Sequence, residues 1–160
     1  MSSHPGEVHH EVECVVHLDD RLEPVGIAVG LDLTDRLTQG ELRADQLPWT
    51  KGKCFRSSAV IGGWSAWSGT WEDLVDPRIG LHLSLSVNDV LRQSTPLCEM
   101  SVTPRQQIAS LEAWAPVGDG DALFTGTPEG VGQLFQGDRV HARLTNATGE
   151  VLSEIDIACA

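Results

Sequence analysis

Two glutamates separated by a single residue stand in Glu7-Val8-His9-His10-Glu11-Val12-Glu13-Cys14-Val15-Val16. With a strand's period of two, Val12, Cys14 and Val16 fall on one face, and Glu11, Glu13 and Val15 on the other. The first face is core. The second carries both carboxylates and then turns apolar at Val15, as a strand does when it runs from an open rim into an enclosed site. Like charges in such a place repel each other and lose hydration unless a cation sits between them. The E-x-E pattern also occurs on solvated strand faces, so the reading turns on a third ligand.

Asp32 supplies that candidate. Residues 25–34 predict a strand with a bulky row (Ile27, Val29, Leu31, Leu33) and a small row (Gly26, Ala28, Gly30, Asp32, Thr34). Glycine in a strand marks a place where something approaches closely. An acid on that roomy row, taken with Glu11 and Glu13, makes a three-carboxylate site, although an Asp here could also cap the helix that follows. Oxygen-only ligation selects Mg²⁺, Mn²⁺ or Ca²⁺ over zinc.

The neighbouring elements must position these groups. Residues 34–46 predict a short, weak helix with Asp35 in its first turn and Gly40 weakening it. Arg36 and Gln39 share one side of it and can overhang the acids, or face solvent. Lys53, beside Gly52 and entering a Cys54-Phe55 strand, can carry an ammonium toward an anion, as it can also lie solvated. Residues 61–76, with Trp64, Trp67 and Trp71, read as a packed loop. Residues 81–93 form a hairpin turning at Asn88-Asp89. Thr103-Pro104-Arg105-Gln106 is a capping box that opens a helix to about Trp114. A strand at 121–124 leads into Thr125-Gly126-Thr127-Pro128-Glu129-Gly130-Val131-Gly132, whose free N–H groups can bind carboxylate or phosphate, or simply make a long turn. It is neither a Walker loop nor the start of a βαβ helix. Two strands, 139–144 and 150–157, finish the chain.

The 160 residues suit one domain with one core. A net charge of −12 argues against nucleic acid and anionic membranes. No apolar run approaches the ~20 residues of a membrane span, and the polar start lacks the parts of a signal peptide. The scattered Cys14, Cys54, Cys98 and Cys159 read as reduced thiols of a cytoplasmic protein.

Taken in order, HHEVE, VGLDLT followed by Arg36 and Gln39, GKCF, SVNDVLRQ and TGTPEGVG resemble the fumarylacetoacetate hydrolase family. The likeness is greatest to its small bacterial acylpyruvate (fumarylpyruvate) hydrolase branch, and it covers nearly the whole chain. The resemblance implies a β-rich α+β fold: a mixed β-sheet roll with a few short helices, usually in a homodimer. It also implies Mg²⁺ or Mn²⁺ held by Glu11, Glu13 and Asp32, with Lys53 as the active-site lysine. Arg36 and Gln39 become substrate contacts, and Thr127 the threonine at the substrate's carboxylate end. The implied substrate is a small 2-oxo or β-diketo acid.

The nominal reaction is hydrolysis of the C–C bond of an acylpyruvate. It needs enolate charge stabilised by the ion and Lys53, and a base to activate water. In the family that base comes from an upstream segment with a His and a Glu on a lid-like helix, whereas this chain starts almost at the E-x-E. His10 falls on the core-facing row and reads as a packed histidine. Leu37 and Arg56 stand where the family commonly has Asp, which bears on the substrate side. Two alternatives follow: a 2-oxo-acid tautomerase or decarboxylase, which asks less of an activated water, and a truncated metal-binding remnant without turnover.

Overall fold

The computed structural model describes residues 6–160. The opening alternation folds as strand, but in two pieces: β1 (Val8–His10) and β2 (Val12–Leu18) are divided at Glu11. β1 pairs with β4 (Thr34–Asp35) and β10 (Gly132–Gln133), while β2 pairs with β3 (Pro24–Asp32) and β9 (Ala122–Phe124). The second segment changes sheets at the same level, since β3 ends at Asp32 and β4 begins two residues later. Across this seam the Asp32 N–H donates to the Glu11 carbonyl at 2.9 Å. The single strand expected over residues 7–16 is thus a strand that exchanges partners at its first glutamate.

A five-stranded sheet runs β5 (Ala59–Ile61), β3, β2, β9, with β6 (Ser65–Ala66) also on β3. A four-stranded sheet runs β12 (Val151–Ala158), β11 (Arg139–Thr145), β7 (His82–Val87), β8 (Val90–Pro96). The two pack together through β3 on β11 and β12, and β2 on β7. Val12, Cys14 and Val16, with Ile27, Val29 and Leu31, meet Leu83, Leu85, Val140, Ala142 and Leu144 in one buried cluster. Each buried Val, Leu or Ile among them contributes roughly 1.5–3 kcal/mol of burial free energy. Cys14 is fully enclosed, and burial pushes its thiol up to about 12. All four cysteines are unpaired.

The β-rich class with few short helices is as expected. Within it, every ladder among the described residues is antiparallel, which corrects the mixed sheet. Three of these ladders join strands consecutive in the chain, and antiparallel pairing is what short connections permit. The β7–β8 turn sits where Asn88-Asp89 predicted it, with φ of 51° and 63°, the left-handed pair of a type I′ turn. Helix α3 (Pro104–Glu112) carries the full capping box of Thr103 and Gln106, but ends short of Trp114. The 61–76 loop contains β6 and a 3₁₀ turn at Glu72–Val75; of its tryptophans Trp71 is buried and Trp64 exposed. Among the described residues, no helix is long and apolar enough to cross a membrane.

The small row of β3 does mark a close approach, and the protein's own side chains make it. A Cβ on Gly30 would collide with Val15 and lie 2.9 Å from the Phe124 ring. Gly40 stands in open space on helix α1 (Arg36–Ala44). Gly30→Ala is therefore expected to destabilise by about 1–3 kcal/mol, and Gly40→Ala to stabilise by about 0.5–1 kcal/mol. Urea denaturation of the two variants measures both signs.

Candidate metal centre

Glu11 lies at the seam, Glu13 is the second residue of β2, and Asp32 ends β3, so two adjacent strands and the seam beside them present all three acids. One carboxylate oxygen from each falls within 4.8 Å of the others. Glu11 and Glu13 are buried and Asp32 half-buried. Two cations enter the cluster. Lys53 Nζ donates to Glu11 Oε2 and to Asp32 Oδ2, each at 2.7 Å. Arg36 Nη2 donates to Glu11 Oε1 at 2.5 Å, and its Nη1 donates to Gln39 Oε1 at 2.8 Å.

Local sequence explains how each cation arrives. Asp35 caps α1, accepting from the Thr38 N–H at 3.1 Å, so the helix begins at Arg36 and not at Thr34. Lys53 closes a four-residue helix, α2 (Thr50–Lys53), and the Cys54-Phe55 strand it was expected to enter is a bend instead. That helix is too short to hold itself. It leans on α1: a Cβ on Gly52 would lie 2.9 Å from the Gln39 Cβ, and the Arg43 guanidinium stacks 5.5 Å from the Trp49 ring centre. Gly52 therefore lets the two helices touch, and the contact delivers the next residue, Lys53, to the acids.

The three carboxylates differ in protonation. Burial works to raise the Glu11 carboxyl, but its bonds to Lys53 and Arg36 prevail and hold it below the usual range. Glu13 has no such partner; burial, aided by the negative charges of Asp32 and Glu11, pushes it up to about 7 against the bond from Gly126. Burial disfavours the Lys53 ammonium, yet its bonds to Asp32 and Glu11 raise it above its ordinary value. With all groups ionised, three negative charges face two positive ones, and Glu13 bears the imbalance. A cation relieves such strain.

The residues fit a hard divalent ion. All donors are carboxylate oxygens, the ligand type Mg²⁺ and Mn²⁺ take, and one from each residue lies within 4.8 Å of the others. Glu13 Oε2 accepts the Gly126 N–H at 2.6 Å, while Oε1 has no hydrogen-bond partner among the described residues.

That bond brings in the glycine-rich loop. Thr127 does not bond the acids; its Oγ1 accepts from Gln93 Nε2 at 2.8 Å, and it lines a cleft of about 460 Å³ with Thr125, Gly126, Glu99 and Gln107. His10 is buried, as its row implied, with Nδ1 on Gln93 Oε1 at 2.9 Å, and burial lowers its basicity. His9 bonds Glu7 at 2.7 Å. Sequence reasoning missed Gln93 and Gly52 as site-building residues, the signal available for Gln93 being a glutamine on the inward row of an otherwise amphipathic hairpin. Gly126 lies in the loop whose N–H groups were offered to a carboxylate, and the one it holds is the protein's own Glu13.

An amide in place of the Asp32 carboxylate keeps a carbonyl oxygen but removes one negative charge from the cluster. Asp32→Asn is expected to weaken Mn²⁺ binding at least about tenfold, with Glu72→Gln, on the 3₁₀ turn, unchanged. Isothermal titration of the folded variants measures this, and equal affinities would reject the cluster as a metal site.

Residues 4–155 match the fumarylacetoacetate hydrolase C-terminal family. The chain is 35% identical over 145 residues to oxaloacetate tautomerase YcgM of Escherichia coli, covering 84% of this chain and 64% of that protein. It is 34% identical over 152 residues to the mitochondrial oxaloacetate tautomerase of Rattus norvegicus, covering 89% and 66%. It thus spans just under two thirds of these relatives. The fumarylpyruvate hydrolase of Pseudomonas aeruginosa, solved with Mn²⁺ and pyruvate, superposes with a TM-score of 0.80 at 27% identity, covering 100% of this chain and 70% of that one. Matched along almost its whole length, the chain belongs to the fumarylacetoacetate hydrolase family.

Proposed function

We propose that residues 1–160 act as one catalytic domain that takes up Mg²⁺ or Mn²⁺ and a small 2-oxo acid, and that its reaction is keto–enol tautomerisation of an oxaloacetate-type substrate. The observation carrying this reading is an ammonium, Lys53, set inside a cluster of three carboxylates. The identity to oxaloacetate tautomerases supports the reaction type.

In this reading Glu11, Glu13 and Asp32 hold the ion. When bound, the cation supplies Lewis-acid stabilisation of negative charge on the substrate's oxygens. Lys53, kept protonated by its carboxylate partners, is the preorganised donor for the developing enolate oxygen. Arg36, fixed by Glu11 and Gln39, offers its remaining N–H groups to a carboxylate, with Gln39 beside it. Thr127 meets the substrate's carboxylate end. Tautomerisation moves one proton from C3 to the 2-oxo oxygen and consumes no water, so it asks for a proton acceptor at C3 and for enolate stabilisation, not for an activated nucleophile. The family resemblance supports a homodimer as the working assembly.

A second reading, metal-dependent hydrolysis of an acylpyruvate, has the likeness to the fumarylpyruvate hydrolase in its favour. One experiment separates the two. Purified protein with Mg²⁺, beside an EDTA control, is given enol-oxaloacetate followed by absorbance and acetylpyruvate followed by NMR. Enol–keto exchange is expected to accelerate with metal, to stop with EDTA, and to fall roughly 100-fold or more in Lys53→Met. Release of acetate and pyruvate would carry the second reading instead. Inactivity on both substrates, with Mn²⁺ still bound, would reject both and leave a metal-binding remnant.

A further inference from the structure

Gln93 is 1% exposed, and all four hydrogen-bonding positions of its amide are taken. Oε1 meets His10 Nδ1 at 2.9 Å and accepts the Val12 N–H at 3.1 Å. Nε2 donates to Thr127 Oγ1 at 2.8 Å and to the Pro128 carbonyl at 2.9 Å. Two of these partners admit no choice. The Val12 N–H can only donate and the Pro128 carbonyl can only accept, so the amide cannot be flipped. The two side-chain partners are then fixed as well. His10 carries its proton on Nδ1, and Thr127 Oγ1 is an acceptor from Gln93, leaving its own hydrogen for another oxygen.

The partners also have meaning by position. Val12 separates Glu11 from Glu13, and Pro128 and Thr127 follow Gly126, whose N–H holds Glu13. Gln93 and Gly126 therefore tie the same two segments together from opposite ends. The neighbouring backbone adds a third tie: Gly130, at φ +97°, packs so closely on Arg92 that a Cβ there would run into the Arg92 carbonyl.

We propose that Gln93 is a positioning residue: its amide locks the carboxylate-bearing strand to the glycine-rich loop and frees the Thr127 hydroxyl hydrogen to donate to a ligand carboxylate. The ligand half of this inference rests on the functional reading above; the lock does not. Nothing in Gln93 touches the acids, so it acts through Thr127 and through the Val12 and Pro128 backbone.

The informative variant is Gln93→Glu, which keeps the acceptor oxygen for His10 and Val12 and replaces the donor NH₂ with a second oxygen, removing both amide donors. Gln93→Met, which removes all four bonds without adding charge, stands in if that variant fails to fold. Hydrogen exchange on the unliganded protein reads the lock. In Gln93→Glu the Gly126 amide is expected to exchange about tenfold faster or more while Val12 keeps its protection; in Gln93→Met both loosen. Kinetics read the hydroxyl: KM for oxaloacetate is expected to rise about tenfold with kcat nearly unchanged, and Thr127→Val combined with Gln93→Glu to be no worse than Thr127→Val alone.

Gly126 exchange at the wild-type rate in a folded variant would overturn the lock. Unchanged KM, or effects of the two substitutions that multiply, would overturn the role of Thr127 as the residue being positioned. Wild-type protein that neither turns over nor binds oxaloacetate would reject the functional reading, and the exchange data would still decide Gln93.

Discussion

The bond from the Asp32 N–H to the Glu11 carbonyl is the constraint on which the centre depends. Two strands leave one sheet and enter another at the same level, and that bond keeps them in register through the change. A carboxylate from each crossing strand is thereby placed at the seam, and Glu13, one strand repeat inward, joins them. Three acids this close would be unfavourable on a plain sheet. Here Lys53 and Arg36 offset most of the charge, and what remains falls on the most enclosed acid, Glu13. The site is therefore preset for a cation by geometry and by charge together.

The cations are supported by packing more than by local propensity. α2 is one turn long and exists because Gly52 has no side chain to hold it away from Gln39. The position of Lys53 thus depends on the glycine before it, which packs on Gln39. The Arg36–Gln39 pair has a dual position as well, since Gln39 orients the guanidinium above and receives Gly52 below.

Much of this was legible in the chain. Period-two alternation placed Val12, Cys14 and Val16 in the core and His10 among packed groups. It also selected the acids that the fold brings together. The turn at Asn88-Asp89 and the cap at Thr103 were readable because their signals are local. The break at Glu11 was not, because it is decided by an N–H arriving from another strand. The helix ending at Lys53 went unread, and Cys54-Phe55 after it was expected as strand, for a like reason: Thr50-Lys51-Gly52-Lys53 has no helical signal of its own and takes its form from α1. Gln93 escaped notice because its partners lie 34 to 83 residues away.

The chain order of the site's parts has a consequence for how the molecule assembles. All three acids belong to β2, β3 and the seam beside them, a hairpin whose strands meet after a short connection. The loop that completes the site reaches Glu13 across 113 residues. Each doubling of a closed loop adds only ~0.6 kcal/mol of entropy loss, but long-range pairing slows the search for it. The nascent chain can thus present its acids before Gly126 and Thr127 have docked. A divalent ion met at that stage would bias the seam toward its native register.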